Sequence, residues 1–252
     1  MPDSGAASRP AALVTGAAGG IGRAVSGRLE ADGYDVLAVD IDPAEDGPGA
    51  PHAADLTTRE GNQGAVEAAL ERFGRLDVIV ANAGVQHVAA VEDFPEDKWD
   101  LLISLMLTSP FLLARYGWEA LGEQGDGRFI AIASAHALAA SPYKSAYVSA
   151  KHGVLGLIKT LALEGAERGI LATAVCPAFV RTPLVEAQIV DQAKAHDISE
   201  DEVLEQVILG PHAVKRLIEP QEVAATVSFL AGPGGSTFTG VPVTMDLGWT
   251  AR

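Results

Sequence analysis

Tyr147 and Lys151 are the residues of this chain whose types and spacing best suit acid–base chemistry. They stand at positions i and i+4 of a segment with helical period, which places both side chains on one helix face, about 5–6 Å apart at Cβ. An ordinary phenol, with a pKa near 10, is a poor base at neutral pH, so we expect the Lys151 ammonium to lower the pKa of Tyr147. Ser134, at the end of a predicted strand, would hold the reacting oxygen of a substrate by a hydrogen bond. His152 is an alternative base, but it points about 100° away around the helix.

A glycine-rich segment near the start of the chain could bind phosphate groups. A predicted strand leads directly into Thr15-Gly16-Ala17-Ala18-Gly19-Gly20-Ile21-Gly22, and an amphipathic helix follows. Gly16, Gly20 and Gly22 would allow backbone N–H groups to approach a pyrophosphate at the helix N-terminus, where the helix dipole favours negative charge. A simple strand-to-helix turn would look similar, but strand, glycines, helix and a second strand ending in an acid follow here in the order that a dinucleotide site requires.

The acid at the end of that second strand is Asp40, and it bears on the choice of cofactor. A carboxylate at this position can accept hydrogen bonds from the ribose hydroxyls of the adenosine and would repel a 2′-phosphate. Its neighbours Val39, Ile41 and Asp42 include no cation. We therefore expect NAD rather than NADP.

Composition and charge exclude several classes of protein. A chain of 252 residues with 48% hydrophobic and 20% charged residues has the composition of a globular protein, and its length fits one large α/β domain as well as two small ones. The formal net charge of −15 repels polyanions and argues against nucleic-acid binding. It also means that an anionic substrate would need its own local donors.

The cysteine, histidine and apolar patterns bear on disulfides, metal sites and the cellular compartment. Cys176 is the sole cysteine, so an internal disulfide is impossible, and the six histidines show no metal-ligand spacing, so we expect no metal. No uninterrupted apolar run approaches the roughly 18 residues that cross a bilayer, and the first residues lack a signal-peptide pattern. These patterns predict a cytoplasmic protein that binds no membrane.

Short runs rich in Val, Ile and Ala alternate with longer segments of helical period, which is typical of βαβ units around a parallel sheet buried on both faces. The predicted strands are Ala11–Thr15, Asp35–Asp40, His52–Ala54, Val78–Ala81, Arg128–Ala133, Leu171–Cys176 and Val243–Asp246. The predicted helices are Gly20–Asp32, Arg59–Phe73, Trp99–Leu121, Lys144–Gly165 and Glu219–Leu230. The pattern predicts a single-domain, doubly wound, Rossmann-like α/β fold over residues 1–252. A charged helical insertion at Leu184–Pro211 would form a lid over the carboxyl ends of the strands.

The glycine-rich turn, Asn82-Ala83-Gly84, Ser134 and Tyr147-x-x-x-Lys151 occur in an order that resembles the short-chain dehydrogenase/reductase family over nearly the whole chain. The resemblance implies NAD-dependent hydride transfer to and from a secondary alcohol, with Tyr147 as acid and base. It also implies three groups of cofactor contacts. These are Asp55 with Leu56 at the adenine, Asn82-Ala83-Gly84 beside the cofactor, and Pro177, Val180 and Thr182 at the nicotinamide end.

Within that family the chain is similar to D-3-hydroxybutyrate dehydrogenases, through the stretch from Asn82 to Pro95 and the ending Gly248-Trp249-Thr250. This resemblance implies oxidation of (R)-3-hydroxybutyrate to acetoacetate, a role in ketone-body metabolism, and a homotetramer built through Trp99–Leu121 and Lys144–Gly165. The implied substrate contacts are Gln86, Ser134, His136, Lys144, Tyr147, Gln188 and Trp249. Lys144 would carry most of the charge that holds a carboxylate.

Three residues depart from the patterns of these families. Met106 stands where the larger family has an asparagine that holds a water linked to the catalytic lysine, and a thioether cannot make those hydrogen bonds. Phe179 replaces a tryptophan and Ala178 a glycine that are usual in the hydroxybutyrate enzymes. Two alternatives therefore stay open: a dehydrogenase of another small hydroxy acid or secondary alcohol, and an NAD-binding homologue whose catalysis is impaired.

Overall fold

The structure is a computed structural model and describes residues 9–196 and 198–251. Seven strands form one sheet, in the order β3-β2-β1-β4-β5-β6-β7, and every pair of neighbours is parallel. The strands are β1 Ala11–Thr15, β2 Asp35–Asp40, β3 Ala50–Ala53, β4 Val78–Ala81, β5 Gly127–Ile132, β6 Ile170–Pro177 and β7 Pro242–Met245. The doubly wound parallel fold expected from the sequence is confirmed, and the strand bounds differ from those predicted by at most two residues.

Eight α-helical segments lie among the described residues. They are α1 Gly20–Ala31, α2 Arg59–Phe73, α3 Glu96–Ile103, α4 Ser109–Glu123, α5 Ser145–Gly165, α6 Pro183–His196, α7 Glu200–Glu202 and α8 Pro220–Ala231. Two π-helical segments, Ser104–Thr108 and Val203–Ile208, continue α3 and α7. Short 3₁₀ turns cover Val91–Asp93, Ala135–Ala137, Ala166–Arg168 and Pro233–Phe238.

The two faces of the sheet are covered by different helices. Successive side chains of a strand point to opposite faces, so Leu13 of β1 joins the apolar core beneath α2, α4 and α5. Ala12 and Val14 join the second core, beneath α1 and α8. Because both faces are dry, the strands are continuous apolar runs, which is the pattern that identified them in the sequence.

The chain order places a crevice above the centre of the sheet. After β1 the chain moves outward to β2 and β3, and after β4 it moves outward in the opposite direction to β5, β6 and β7. The connections that leave β1 and β4 therefore diverge above neighbouring strands. Ligands of open parallel sheets bind at such a switch point, outside the carboxyl ends.

The predicted helix Trp99–Leu121 is interrupted by the π-helical segment Ser104–Thr108, which contains Met106. Pro110 explains the interruption, because proline has no N–H to donate to the carbonyl four residues earlier, that of Met106, and its ring crowds that carbonyl. The whole stretch Glu96–Glu123 is long and apolar enough to cross a membrane by length and composition, yet 44% of its most apolar window is buried inside the protein. It packs against α2 and α5, as a core helix of the sheet does.

The insertion predicted at Leu184–Pro211 consists of α6, α7 and the second π-helical segment. It follows β6 and has its own small apolar cluster, in which Val185, Val203 and Ile208 pack with Phe179 and Leu217. Phe179 also lines the cavity described below, so the insertion and the cavity share a wall. Closure of this segment over a ligand stays a prediction.

Candidate active site

A cavity of about 470 Å³ opens at the carboxyl ends of the central strands. Nearly all of the predicted site residues line it: Gly16, Gly20, Ile21, Asp40, Asp55, Leu56, Asn82, Ala83, Gly84, Gln86, Ser134, His136, Lys144, Tyr147, Lys151, Pro177, Val180, Thr182 and Gln188. Thr15, Gly22 and Trp249 do not line the cavity.

The glycine-rich turn has a backbone that only glycine accommodates. Gly16 and Gly20 have φ values of +66° and +53°, in the left-handed region. A Cβ atom added at Gly22 would lie 2.0 Å from the carbonyl oxygen of Gly16, so Gly22 allows helix α1 to pack against the turn. At the start of α1, Gly19 is an N-cap without a side-chain hydrogen bond, and the first turn carries no acidic residue. The backbone N–H groups at the start of α1 are therefore not capped by a side chain at Gly19 or by a nearby acid. Together with the close approach of the backbone, they fit the pyrophosphate of a dinucleotide.

Thr15 holds this turn to the neighbouring strand from beneath the cavity. Its buried hydroxyl oxygen accepts hydrogen bonds from the backbone N–H groups of Asn82 (2.9 Å) and Ala83 (3.0 Å). The Asn82 side chain donates in return to the Thr15 carbonyl oxygen at 2.8 Å. Thr15 and Gly22 thus position the turn, and their predicted contacts with the cofactor stay a prediction.

The two carboxylates predicted near the adenosine, Asp40 and Asp55, both line the cavity. Asp40 accepts hydrogen bonds from the backbone N–H groups of Ala18 (3.0 Å) and Ile41 (2.8 Å), which fix its side chain at the cavity edge. Asp55 accepts from the backbone and the hydroxyl of Thr57, and these bonds hold its pKa below the usual value. Leu56, next to it, is buried against the core.

Tyr147 and Lys151 face the cavity from α5, as their spacing predicts, but their electrostatics differ from expectation. The Lys151 ammonium donates to the carbonyl oxygen of Ile132 at 2.8 Å and lies 5.6 Å from the centre of the Tyr147 ring. Burial lowers the pKa of Lys151 to about 8. The pKa of Tyr147 is raised, because burial disfavours the phenolate more than the nearby Ser134 hydroxyl favours it. The expected lowering of the Tyr147 pKa by Lys151 is thus wrong for this structure.

Ser134 and His136 form a hydrogen-bonded group at the end of β5. The Ser134 hydroxyl lies 3.4 Å from Nδ1 of His136, and the other ring nitrogen, Nε2, lies 3.0 Å from the hydroxyl of Ser141. Ser134 also accepts a hydrogen bond from the backbone N–H of His136 at 3.1 Å. Burial and the nearby Lys144 cation lower the pKa of His136 to about 3, so its ring is neutral at physiological pH.

Lys144 is a buried cation on the cavity wall, directly before α5. Its ammonium donates to Oε1 of Gln188 on α6 at 3.2 Å and lies 4.9 Å from the centre of the Phe179 ring. No ion pair of Lys144 with an acidic side chain occurs within the described residues. Burial without a carboxylate partner lowers its pKa to about 8. A buried lysine aimed at a cavity in this way can receive an anionic group of a ligand.

Gln86 and Trp249 complete the predicted substrate contacts in different ways. Gln86 lines the cavity, and its Oε1 accepts a hydrogen bond from the backbone N–H of His87 at 3.0 Å, which leaves the amide nitrogen for a ligand. Trp249 does not reach the cavity, and its ring lies 4.9 Å from that of His136. Trp249 therefore contacts His136, a residue of the cavity wall, and its predicted contact with the substrate stays a prediction.

Met106 is buried and lines the cavity from the π-helical turn. It belongs to an apolar cluster with Leu102, Ala146 and Ala150, against which Tyr147 packs. A Cβ added at Gly84 would lie 3.2 Å from the Met106 sulfur, so the thioether closely approaches the loop after β4. The environment of this side chain is apolar.

The segment after β6 forms the remaining wall. Val180 is buried and pairs with Ile218 in an isolated parallel bridge. The Thr182 hydroxyl donates to the Val180 carbonyl oxygen at 3.3 Å, and its methyl group faces the phosphate turn, 3.1 Å from where a Cβ of Gly20 would lie. Thr182 thus approaches the glycine-rich turn, and with Pro177 and Val180 it lines the part of the cavity that the resemblance assigns to the nicotinamide end.

Sequence reasoning missed several lining and supporting residues. The missed lining residues are Gly19, Ile41, Ala54, Thr57, Val85, Leu101, Leu105, Ile132, Ala133, Pro183, Leu184 and Val185. Behind the Phe179 wall, the ring of His212 lies 6.0 Å from that of Phe179, and both of its buried nitrogens lack a hydrogen-bond partner among the described residues. Most of the missed lining residues are apolar, and periodicity places such residues in a core without saying which of them face a ligand.

Comparison with known proteins decides the family. The pattern described as short chain dehydrogenase matches residues 10–193. The chain belongs to the short-chain dehydrogenase family. It is 40% identical to the D-beta-hydroxybutyrate dehydrogenase of Rhizobium meliloti, over 96% of this chain and 98% of that protein. It is 42% identical to an uncharacterized oxidoreductase of Bacillus subtilis, again over 96% and 98% of the two chains.

Solved structures of this family have the same fold. The aldohexose dehydrogenase of Thermoplasma acidophilum, in its ligand-free form, superposes with a TM-score of 0.89, covers 97% of this chain and 95% of its own, and is 28% identical. The chain is therefore an oxidoreductase of the short-chain dehydrogenase family with a Rossmann-like sheet. Among the residues that the structure describes, no group of three or more His, Cys, Asp or Glu side chains could hold a metal ion.

Proposed function

We propose that this short-chain dehydrogenase oxidises (R)-3-hydroxybutyrate to acetoacetate with NAD. The observation that carries the proposal is the buried Lys144 ammonium, which faces the same cavity as Tyr147 and Ser134 and makes no ion pair with a described acidic side chain. A carboxylate of the substrate would supply the missing anion. Gln188, already bonded to Lys144, and the free amide nitrogen of Gln86 would donate the further hydrogen bonds. The identity to a D-beta-hydroxybutyrate dehydrogenase supports the same substrate class.

The residues of this chain divide the chemistry between them. Ser134 donates a hydrogen bond to the substrate hydroxyl, and Tyr147, as phenolate, takes its proton while the alcohol carbon is oxidised. Lys151 holds a positive charge near the phenolate and would bind the ribose of the cofactor. The nicotinamide, when bound, supplies the acceptor for the hydride. Because burial raises the pKa of Tyr147 in the free protein, the phenolate must gain its stabilisation when substrate and cofactor fill the cavity.

NAD specificity is proposed from Asp40, whose carboxylate is fixed at the cavity edge by two backbone N–H groups. A 2′-phosphate would meet this fixed negative charge. We expect Asp40→Ala to lower kcat/KM for NAD by roughly tenfold or more, the effect of losing a hydrogen bond to a charged group, and to narrow the preference for NAD over NADP. The exposed neighbour provides the matched control, Asp42→Ala. An unchanged ratio of the two cofactors would remove Asp40 from this role.

The activity is tested with NAD and a panel of 3-hydroxy acids, hydroxyl-bearing analogues without the carboxylate, and simple secondary alcohols. NADH formation with (R)-3-hydroxybutyrate, increasing toward alkaline pH at saturating substrate, supports the proposal. If folded protein saturated with NAD oxidises uncharged secondary alcohols faster than any hydroxy acid, the substrate class is wrong, and the alternative of a secondary-alcohol dehydrogenase replaces it.

A second candidate function is NAD(H) binding without turnover, and Met106 is the observation that favours it. Its buried thioether lies in the apolar cluster against which Tyr147 packs and offers no hydrogen bond for a proton to use. Tight NADH binding without oxidation of any alcohol, together with activity gained by Met106→Asn, would support this reading. Robust turnover by the unmodified chain contradicts it.

The setting of the enzyme is proposed on the same resemblance. We place it in the cytoplasm, in ketone-body metabolism, as a homotetramer built through Trp99–Leu121 and Lys144–Gly165, without nucleic-acid or membrane partners. Exposed apolar side chains on both helices, Phe111 and Leu163, support a covered surface there.

A further inference from the structure

We propose that Tyr143 is a positioning residue for substrate binding, whose left-handed backbone sets the place of Lys144 and ties it to the loop that carries Gln86. The inference deepens the proposed function and rests on it, because it takes Lys144 and Gln86 as donors to a substrate carboxylate. Tyr143 acts through its main chain and need not touch the substrate.

The backbone of Tyr143 has an uncommon conformation. Its φ is +65°, in the left-handed region, and among the described residues other than glycine only Leu247 shares a positive φ. The Cβ atom of an ordinary residue crowds its own backbone there, so the conformation costs free energy and persists only where the surrounding structure holds it. Residues of this kind cluster at binding and catalytic sites, and Tyr143 directly precedes Lys144.

The position of Lys144 in the helix does not explain why a lysine stands there. Lys144 is the N-cap of α5, with φ −125° and ψ 35°, and its carbonyl oxygen accepts the N–H of Val148 at 2.9 Å. Its side chain makes no capping hydrogen bond, although Ser, Thr, Asp and Asn are favoured at an N-cap for that purpose. The ammonium donates instead to Gln188, and both side chains line the cavity. The chain direction at Tyr143 therefore serves the cavity more than it serves the helix.

The carbonyl group of Tyr143 fixes this conformation to a neighbouring loop. Its oxygen accepts a hydrogen bond from the backbone N–H of Ala89 at 3.0 Å. Ala89 lies in the irregular loop 82–90 that follows β4, three residues after Gln86, which lines the cavity. One main-chain hydrogen bond thus connects the segments that carry Lys144 and Gln86. A shift of either segment would change the separation of the two donors and strain this bond.

The residue before Tyr143 limits how the chain could relax. Pro142 has a ring that fixes its own φ near −65°, so the chain is stiff on that side. Pro142 is exposed and Lys144 is buried, so the chain passes from the surface into the cavity wall within two residues. Moving Tyr143 to the extended region would rotate its two flanking peptide groups relative to each other. The hydrogen bond from Ala89 and the place of Lys144 could then not both be kept.

The kinetic test compares Tyr143→Gly with Tyr143→Val. Both variants lose the ring and every contact it makes, but glycine adopts the left-handed region freely, whereas a β-branched residue is strongly disfavoured there. If valine makes the left-handed form a one-in-ten minority, the apparent KM for 3-hydroxybutyrate rises about tenfold, because only that form binds. We expect little change in kcat, and little change in KM for an uncharged secondary alcohol. Tyr143→Gly should keep KM near that of the unmodified enzyme.

The other results of this comparison overturn the proposal. An equal loss in the two variants would show that the ring of Tyr143 matters and its backbone does not. An equal rise of KM for charged and uncharged substrates would mean that Tyr143 supports the fold of the whole site. Unchanged kinetics in Tyr143→Val would show that binding does not need the left-handed conformation.

Hydrogen exchange tests the connection without turnover and separates its failure from failure of the proposed activity. The Tyr143 carbonyl protects the Ala89 amide, so exchange in peptides that cover residues 85–91, measured by mass spectrometry, should be about tenfold faster in Tyr143→Val. Tyr143→Gly should exchange as the unmodified protein does, and peptides from the buried strand β5 should exchange alike in all three. Faster exchange at Ala89 in the valine variant alone supports the connection even if hydroxybutyrate is not oxidised. Equal exchange at Ala89 in all three proteins overturns it.

Discussion

At the scale of single residues, burial governs the chemistry more than charge pairing does. Lys144 and Lys151 are both buried, and burial lowers the pKa of each to about 8. Each lysine is therefore protonated at neutral pH, but its pKa lies only slightly above that pH. Their first neighbours are neutral oxygens, those of Gln188 and Ile132. The protein thus holds two cations ready for groups that arrive with the substrate and the cofactor.

Lys144→Ala should raise KM for 3-hydroxybutyrate by roughly ten- to a hundredfold, because a hydrogen bond to a charged group is worth about 1.5–3 kcal/mol. An uncharged secondary alcohol, measured in parallel by NADH absorbance, should show little change. The control is Lys159→Ala, on the exposed side of α5. Equal losses for charged and uncharged substrates would mean that Lys144 stabilises the fold of the site and does not bind the carboxylate.

The same lysine predicts a pH dependence. Because the pKa of Lys144 is lowered to about 8, its positive charge is present below that pH and is lost as the pH rises through it. The apparent KM for 3-hydroxybutyrate should therefore increase above about pH 8. Over the same range kcat should continue to rise, because a larger fraction of Tyr147 is ionised at higher pH. In steady-state profiles, kcat/KM should pass through a maximum that Lys144→Ala abolishes. A plateau of kcat/KM in the unmodified enzyme to pH 10 would contradict this assignment.

Met106 gives a stability prediction that does not depend on activity. Met106→Asn would bury an amide in the apolar cluster of Leu102, Ala146 and Ala150, and we expect it to lower the free energy of unfolding by about 1–3 kcal/mol. Met106→Leu, close in volume, should cost less than about 1.5 kcal/mol. Urea unfolding measures both. Unchanged stability of the asparagine variant would show that the amide finds partners and that this position tolerates a polar side chain.

At the scale of secondary-structure elements, the tight junction between β1 and α1 sets the position of the phosphate turn. The space at Gly22 is closed by the backbone oxygen of Gly16, and a backbone atom cannot move aside as a flexible side chain does. By contrast, a Cβ at Gly19 would meet no atom within 4 Å. The glycines of this turn therefore serve different purposes, although they look alike in the sequence.

Gly22→Ala should separate α1 from the turn, lower the melting temperature and weaken NADH binding, measured by fluorescence titration. Gly19→Ala should leave the melting temperature nearly unchanged, because its Cβ meets open space and its φ of −154° is open to any residue. If both variants melt alike and close to the unmodified protein, the backbone can relax around Gly22 and the junction is looser than described.

At the scale of the whole molecule, the helices on one face of the sheet leave apolar side chains uncovered. Leu163 of α5 is 83% exposed and Phe111 of α4 is 45% exposed. Scattered exposed apolar residues are common on protein surfaces, but these lie on the two helices through which the resemblance predicts association.

Leu163→Asp should therefore reduce the molecular mass in solution, measured by light scattering on a size-exclusion column, from that of a tetramer to that of a smaller species. A charge placed in an apolar interface costs the desolvation of that charge. The control is Val214→Asp, in an exposed loop outside both helices. Retention of the original mass by the Leu163 variant would move the interface elsewhere.

The sequence alone determined the parallel sheet, because strands buried on both faces are apolar runs separated by amphipathic helices, and it determined which polar residues meet at the carboxyl edge. Periodicity predicted one continuous helix over Trp99–Leu121 and missed the π-helical turn at Met106, although Pro110, the local cause of the interruption, stands in the sequence. Nor could it give the hydrogen-bond partners of His136, because the path of the connection between β5 and α5 decides that Ser134 and Ser141 lie beside the ring.

The tertiary structure also decided the pKa values. Spacing on α5 predicts that Lys151 lowers the pKa of Tyr147, but that expectation treats the pair in isolation. Packing buries both groups, and burial penalises each charged form. The pKa of the Tyr147 phenol is therefore raised and the pKa of the Lys151 ammonium is lowered. Residue types fix which protons can move, whereas the depth at which the fold places them fixes how readily they do.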